Sequence, residues 1–336
     1  MITIRTWLTA VALSGATVAA HAAGARQIPT IYEAGHFYAV PTAAVGGTLQ
    51  LIVDTGGGGN AGMYWLSRST AHRLQLKPGH CTYDGHHLPV VDLPHFRKGF
   101  GLPPPLGPCA DVLVVDDAAA HGVEGQLGAP YLAGRIWTFD YPGQRLLLED
   151  ADWHADGDMS HASPLGFQRS AQSRHWNAYP RIVVRVDGQP LDMLLDTGAT
   201  AHPTAAGERA SRTPTVNGTG VTSYITTSQL ERWHQAHPHW RVVVQGDDLV
   251  APHFMARLIE VPNMEIAGWS VGPVWFTERP DTAFHEMMAS MMDKTPEGAI
   301  GGNVLSHFVM TIDYPSRTAY FRCARGCSEV TPPLRP

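Results

Sequence analysis

Apolar residues along this chain recur in short runs, many with a two-residue period, broken by glycine-rich turns. Ile182, Val184 and Val186 alternate with Arg181 and Arg185, the pattern of a strand with one buried face. Leu51-Ile52-Val53 and Met193-Leu194-Leu195 are wholly apolar, and each runs straight into Asp-Thr-Gly. Residues 112–115 and 241–245 read as further short strands. Helical spacing is confined to a few places. Residues 228–237 set Leu230 and Trp233 on one face, and 66–74 is their counterpart in the first half of the chain. Short helices are expected around Tyr131-Leu132 and Val304-Leu305. The class predicted is mostly β with a few short helices.

The pattern occurs twice. His36-Phe37-Tyr38-Ala39-Val40, a Gly46-Gly47 turn and Leu51-Ile52-Val53 lead to Asp54-Thr55-Gly56. Tyr179 to Val184, an Asp187-Gly188 turn and Met193-Leu194-Leu195 lead to Asp196-Thr197-Gly198, and the turn glycine precedes the Asp by the same spacing in both. A second block closes each half. Gly125-Gln126-Leu127-Gly128 with Tyr131-Leu132 and Thr138-Phe139-Asp140-Tyr141-Pro142 aligns without a gap on Gly298-Ala299-Ile300-Gly301 with Val304-Leu305 and Thr311-Ile312-Asp313-Tyr314-Pro315. A single Asp-Thr-Gly is weak, expected by chance in roughly one chain in ten to twenty of this length. Two of them inside a repeat that keeps its order indicate an internal duplication.

A carboxylate directly after an apolar run tends toward burial, which is costly unless the charge is paired or used. Two such carboxylates, one per half, suggest a shared acid–base site. Gly56 and Gly198 would let the backbone turn sharply under the carboxylate. The hydroxyls of Thr55 and Thr197 would hydrogen-bond across to the opposite loop. Gly128 and Gly301 read as packing glycines that seat a short helix against each Asp loop.

On these residues the chain resembles the two-lobed aspartic proteases of the pepsin/retropepsin superfamily. Asp196-Thr197-Gly198-Ala199-Thr200 is similar to the retropepsin-like active-site loop, and Leu127-Gly128 and Ile300-Gly301 resemble the apolar-apolar-Gly signature of that group. The resemblance spans residues 28–322. It implies two pseudo-twofold-related acid-protease β-barrel lobes, an aspartic endopeptidase with Asp54 and Asp196 catalytic, and a peptide or protein substrate in the cleft, with no cofactor and no metal. The alternative reading is an inactive relative that binds peptide or carbohydrate in the same cleft. Two departures bear on that choice. Gly57-Gly58-Gly59 stands where pepsin-like enzymes place Ser or Thr, and no pepsin-type flap segment occurs. Residues 97–102 are a flap candidate on glycine content alone. Residues 201–221, an insertion without a partner in the first half, read as a surface loop beside the cleft.

The remaining composition narrows the setting. A formal net charge of −6 without a basic stripe argues against nucleic acid. Arg5, the apolar stretch 7–20 and Ala20-His21-Ala22 read as a signal peptide over 1–22, which places the mature chain outside the cytoplasm, secreted or periplasmic. No segment of the mature chain is long and apolar enough to span a membrane. The four cysteines suit that compartment, and local pairing joins Cys81 to Cys109 and Cys323 to Cys327. Closing the longer loop is worth about 3 kcal/mol. The histidine groups His80, His86, His87, His95 and His234, His237, His239 lack a ligand frame on one element and read as surface residues. The domains expected are a first lobe over 27–150, a polar connection over 151–177, a second lobe over 178–327 and a tail over 328–336. Because both halves share one chain, a monomer holds the whole site.

Overall fold

Two parallel strand pairs fix where the Asp-Thr-Gly loops stand. In the first half Leu51–Asp54 lies parallel to Gly125–Gly128, with Val53 opposite Leu127. In the second, Gln189–Leu195 lies parallel to Gly298–Ile300, with Leu195 opposite Ile300. These strands are apolar because a parallel pair is enclosed on both faces, and Leu51, Val53, Leu127, Leu195 and Ile300 are fully buried. The computed structural model describes residues 24–58, 62–83, 85–107, 109–120, 122–156, 161–168 and 178–330. The expected signal peptide, much of the polar connection, and residues 331–336 of the tail lie outside the described residues.

The duplication extends from the motifs to the ladders that flank them. Trp65–Ser67 pairs antiparallel with Gly125–Gly128 and parallel with Val112–Val115. Ser223–Thr226 does the same with Gly298–Ile300 and Val274–Arg279. Beyond them stand the hairpins Pro78–Tyr83 with His86–Val91 and Val242–Val250 with Phe254–Val261. On the other flank His36–Ala39 pairs with Leu51–Asp54, and Arg181–Val186 with Gln189–Leu195. Burial along Arg181–Val186 alternates as the sequence pattern requires. The helices Arg68–Arg73 and Thr227–Ala236 follow equivalent strands, and Ala129–Leu132 and Gly302–Leu305 follow the two closing-block strands.

A six-stranded sheet joins the halves. Its central strands, Ile136–Asp140 and Phe308–Asp313, run antiparallel with Thr138 opposite Thr311. Their hydroxyls are 2.7 Å apart. These two threonines are repeat equivalents, so the pseudo-twofold axis passes between them. The main hydrophobic core continues across this sheet from one half to the other. The fold is therefore mostly β, with two pseudo-twofold-related lobes and few helices.

Three sequence expectations change. The insertion 201–221 is not only loop: it contains the helix Ala205–Ser211, packed on Val242–Val250. Thr204 caps it, accepting from the Gly207 N–H at 3.3 Å. A Cβ on Gly207 would stand 1.9 Å from the Gly246 carbonyl oxygen, so the contact requires glycine. Residues 97–102 form no paired hairpin: the Arg97 N–H and the Phe100 carbonyl are both bonded to Thr42, tying the segment to a neighbouring loop. Strand pairing continues past Cys327, since Cys327–Glu329 lies against Trp269–Val271. The disulfides are Cys81–Cys109 and Cys323–Cys327.

Candidate active site

The two Asp loops meet through their threonines. Thr55 Oγ1 donates to the Leu195 carbonyl at 2.6 Å and accepts from the Thr197 N–H at 3.0 Å. Thr197 Oγ1 donates to the Val53 carbonyl at 2.8 Å and accepts from the Thr55 N–H at 3.1 Å. Both side chains are buried, and each hydroxyl spends its proton and a lone pair on the opposite half. Four reciprocal bonds in a dry interior hold the loops in one relative position.

That position brings the carboxyls of Asp54 and Asp196 within hydrogen-bonding reach of each other. Asp54 Oδ1 accepts from the Gly56 N–H at 2.8 Å, and Asp196 Oδ1 from the Gly198 N–H at 2.9 Å. The N–H groups of Gly57 and Ala199 close the turns, donating to the backbone carbonyls of Asp54 and Asp196 at 3.3 and 3.5 Å. Neither Gly56 nor Gly198 has a positive φ, so the sharp backbone turn expected of them is not what demands glycine. Space demands it. A Cβ on Gly56 would lie 2.3 Å from the Asp196 carboxyl carbon, and one on Gly198 would lie 2.2 Å from that of Asp54. Each loop leaves a hollow that the other loop's carboxyl fills. Gly128 packs for the same reason against the carbonyls of Gly57 and Gly58, and Gly301 against Thr222 and Ala199.

Asp54 and Asp196 are 9% and 8% exposed, and Asp54 lines a cleft. Burial pushes both carboxyls above the usual carboxylate range. Asp196 rises furthest, because it also faces the charge of Asp54. Groups this close titrate as a pair. A cleft of about 550 Å³ opens beside Asp54, walled by Ile52, Trp65, Leu113, Val115 and Val123.

Gln126 is a site residue that the sequence reading missed. Its Nε2 donates to Asp54 Oδ2, and its Oε1 accepts from Trp65 Nε1 at 2.7 Å. The signal was present: Gln126 is a polar residue in an apolar closing-block strand where the second half has Ala299, and a polar side chain in such a strand calls for a partner. Trp65 lines the cleft, whereas Tyr64 is core. Tyr224, the repeat equivalent of Trp65, braces the other loop: its hydroxyl donates to the Thr200 carbonyl at 2.5 Å and accepts from the Thr200 N–H at 2.8 Å. The Arg279 guanidinium sits 4.3 Å above the Tyr224 ring.

No protein-family model and no curated protein matches the sequence. Solved structures are similar in shape. One is an aspartic proteinase. This structure, from Irpex lacteus, shares 11% identity at a TM-score of 0.44 and covers 90% of this chain and 98% of its own. Basic 7S globulin from soybean shares 11% identity at a TM-score of 0.42, covering 89% and 94%. The chemistry has to be read from this chain's own geometry.

Among the described residues no three His, Cys, Asp or Glu side chains gather as a metal site. His80, His86, His87 and His95 are exposed, and His237 stacks on Trp240 and bonds Asp187. His36 has a different place. It is buried in the first half, and its Nε2 lies 3.2 Å from Thr200 Oγ1 in the second. Burial lowers its pKa to about 4, against a smaller opposing pull from backbone hydrogen bonds at Gly198 and Ala199. The folded state therefore resists a proton that the unfolded chain takes up near pH 6.5. Stability present above about pH 6.5 is lost as the pH falls toward 4, by about 3 kcal/mol. Urea unfolding at pH 7 and pH 4 checks this, with His36→Gln expected to lose less on acidification than the parent. Equal losses would count against it.

Proposed function

We propose that the protein is an aspartic endopeptidase in which Asp54 and Asp196 activate a water against a peptide carbonyl. One observation carries this reading: a reciprocal threonine lock holds two buried carboxyls together, with Asp54 lining a cleft. In such a pair one member is ionised and takes the water's proton, while the other is protonated and hydrogen-bonds the developing oxyanion. The apolar wall beside Asp54 fits a substrate with an apolar side chain next to the scissile bond.

The inactive alternative draws on the glycine run at Gly57 and on the missing flap segment. Gln126 supplies a donor to Asp54 from the neighbouring strand, which answers the first of these and leaves the second to the cleavage test. Two disulfides favour an oxidising compartment, consistent with export directed by residues 1–22. Among the described residues no helix is long and apolar enough to cross a membrane. Since both carboxyls come from one chain, the active species is read as a monomer.

The test is cleavage of a denatured protein or peptide library by the mature chain from about pH 3 to pH 8. A bell-shaped profile is expected, because the pair works only with one proton between its members. The two limbs belong to the pair, and burial, which raises both carboxyls, favours keeping the shared proton to higher pH. Cleavage that keeps rising into alkaline pH would rule out the mechanism. Affinity for peptide without cleavage at any pH would favour the binding reading.

A further inference from the structure

We propose that Gln126, aligned by Trp65, is a positioning residue that makes Asp54 the water-activating carboxylate and leaves the proton of the pair on Asp196. This deepens the peptidase reading above and rests on it for its catalytic meaning. The orientation of the Gln126 amide follows from its neighbour. The indole Nε1–H of Trp65 can only donate, so the oxygen of Gln126 must face it, at 2.7 Å. The amide nitrogen then faces Asp54 Oδ2, and it too can only donate. Asp54 Oδ2 must therefore offer a lone pair along that line. Oδ1 already accepts from Gly56. With donors aimed at both oxygens, Asp54 is set up as a carboxylate.

The second half has no such device. Ala299 occupies the position of Gln126, and Tyr224 that of Trp65. Alanine donates nothing, and the Tyr224 hydroxyl is engaged with Thr200. Gly57 completes the arrangement. A Cβ there would stand 2.0 Å from Gln126 Nε2 and 2.2 Å from Asp54 Oδ2, so a side chain at 57 and this amide exclude each other. The backbone of Gly57 is held in place, its carbonyl accepting from the Ala129 N–H at 3.0 Å.

In the reaction the water oxygen bonds to the peptide carbonyl carbon as its proton passes to Asp54, and the proton of Asp196 passes to the carbonyl oxygen. On collapse the carbon–nitrogen bond breaks, Asp54 returns its proton to the leaving nitrogen, and one hydroxyl of the intermediate reprotonates Asp196. The charges and protons of the pair are restored.

The experiment is a carbon-13 carboxyl titration of Asp54 and Asp196 in the parent, Gln126→Leu and Trp65→Phe, run beside the pH profile of cleavage. In the parent, Asp54 should lose its proton in the first step of the pair and Asp196 in the second. Gln126→Leu should raise the first step by about one pH unit and carry the acid limb of cleavage with it. Trp65→Phe, which keeps the amide but releases its orientation, should move the step the same way by less. A folded Gln126→Leu whose steps do not move would overturn the proposal, as would a parent in which Asp196 ionises first. Because the titration needs no turnover, a parent that cleaves nothing would defeat the peptidase reading while the order of ionisation still decides the role of Gln126.

Discussion

Asp54→Asn and Asp196→Asn should each lower peptide cleavage by about 10⁴-fold or more, since the first removes the group that takes the water's proton and the second the acid that stabilises the oxyanion. The shape of the site is expected to survive. Asn is nearly isosteric, and its carbonyl oxygen keeps the backbone donor that each Asp Oδ1 now accepts. Stability should move in an informative direction. Both carboxyls bind protons more tightly folded than unfolded, so their stabilising contribution is full below the unfolded value and is lost as the pH rises through the raised folded value. Neither Asn carries that pH-dependent loss. The variants should therefore gain on the parent in thermal unfolding as the pH rises from acid to neutral. An inactive variant whose disadvantage grows toward neutral pH would show that the carboxyls act as structural ion partners and that the pair does not form.

The second large effect concerns the support behind the Asp196 loop. Asp247 and Arg279 form an ion pair at 3.3 Å with side chains 1% and 8% exposed. Arg279 also donates to the Glu278 carbonyl at 2.9 Å and covers the Tyr224 ring. Asp247 Oδ2 accepts from the His202 N–H at 2.6 Å. Burial raises the Asp247 carboxyl, and the Arg279 charge opposes that rise. Arg279→Met leaves a buried carboxylate without its cation and should cost about 3–5 kcal/mol by urea unfolding. Adding Asp247→Asn should recover part of this loss, because the amide carries no charge and still accepts from His202. A loss below about 1 kcal/mol in Arg279→Met would mean that the pair sits in effect at the surface.

The parts of this molecule legible in its sequence are those written in local pattern. Alternation at Ile182, Val184 and Val186, the apolar runs before each Asp, and the repeated closing blocks sufficed for the β class, the duplication and the pairing of Asp54 with Asp196. The threonine lock was legible because both loops carry the same residue at the same step. What stayed hidden depends on neighbours distant in sequence. Trp65 and Gln126 meet only because their strands are adjacent, and His36 reaches Thr200 only across the two halves. The Gly57 run read only as a departure at a place where pepsin-like enzymes carry Ser or Thr, whereas an amide from another strand needs that room. The helix Ala205–Ser211 was overlooked although Thr204 offers an N-cap and Ala205, Ala206, Glu208 and Arg209 favour helix, because Gly207 breaks the run and its role is a close contact with Gly246.

The Thr138–Thr311 pairing has a consequence for the halves as separate pieces. Cutting the connection between them would not release two finished modules, because each half owns only part of the shared sheet. A lone first half would present Ile136–Asp140 as a bare edge, and unpaired backbone of this kind recruits another strand. The register makes a second copy of the same half an acceptable recruit. Laid on the same ladder, it would set Thr138 against Thr138 and Trp137 against Phe139, with two Asp54 loops face to face across the axis. The single chain thus keeps the geometry of a symmetric pair while joining two halves that differ, as Ala299 does from Gln126.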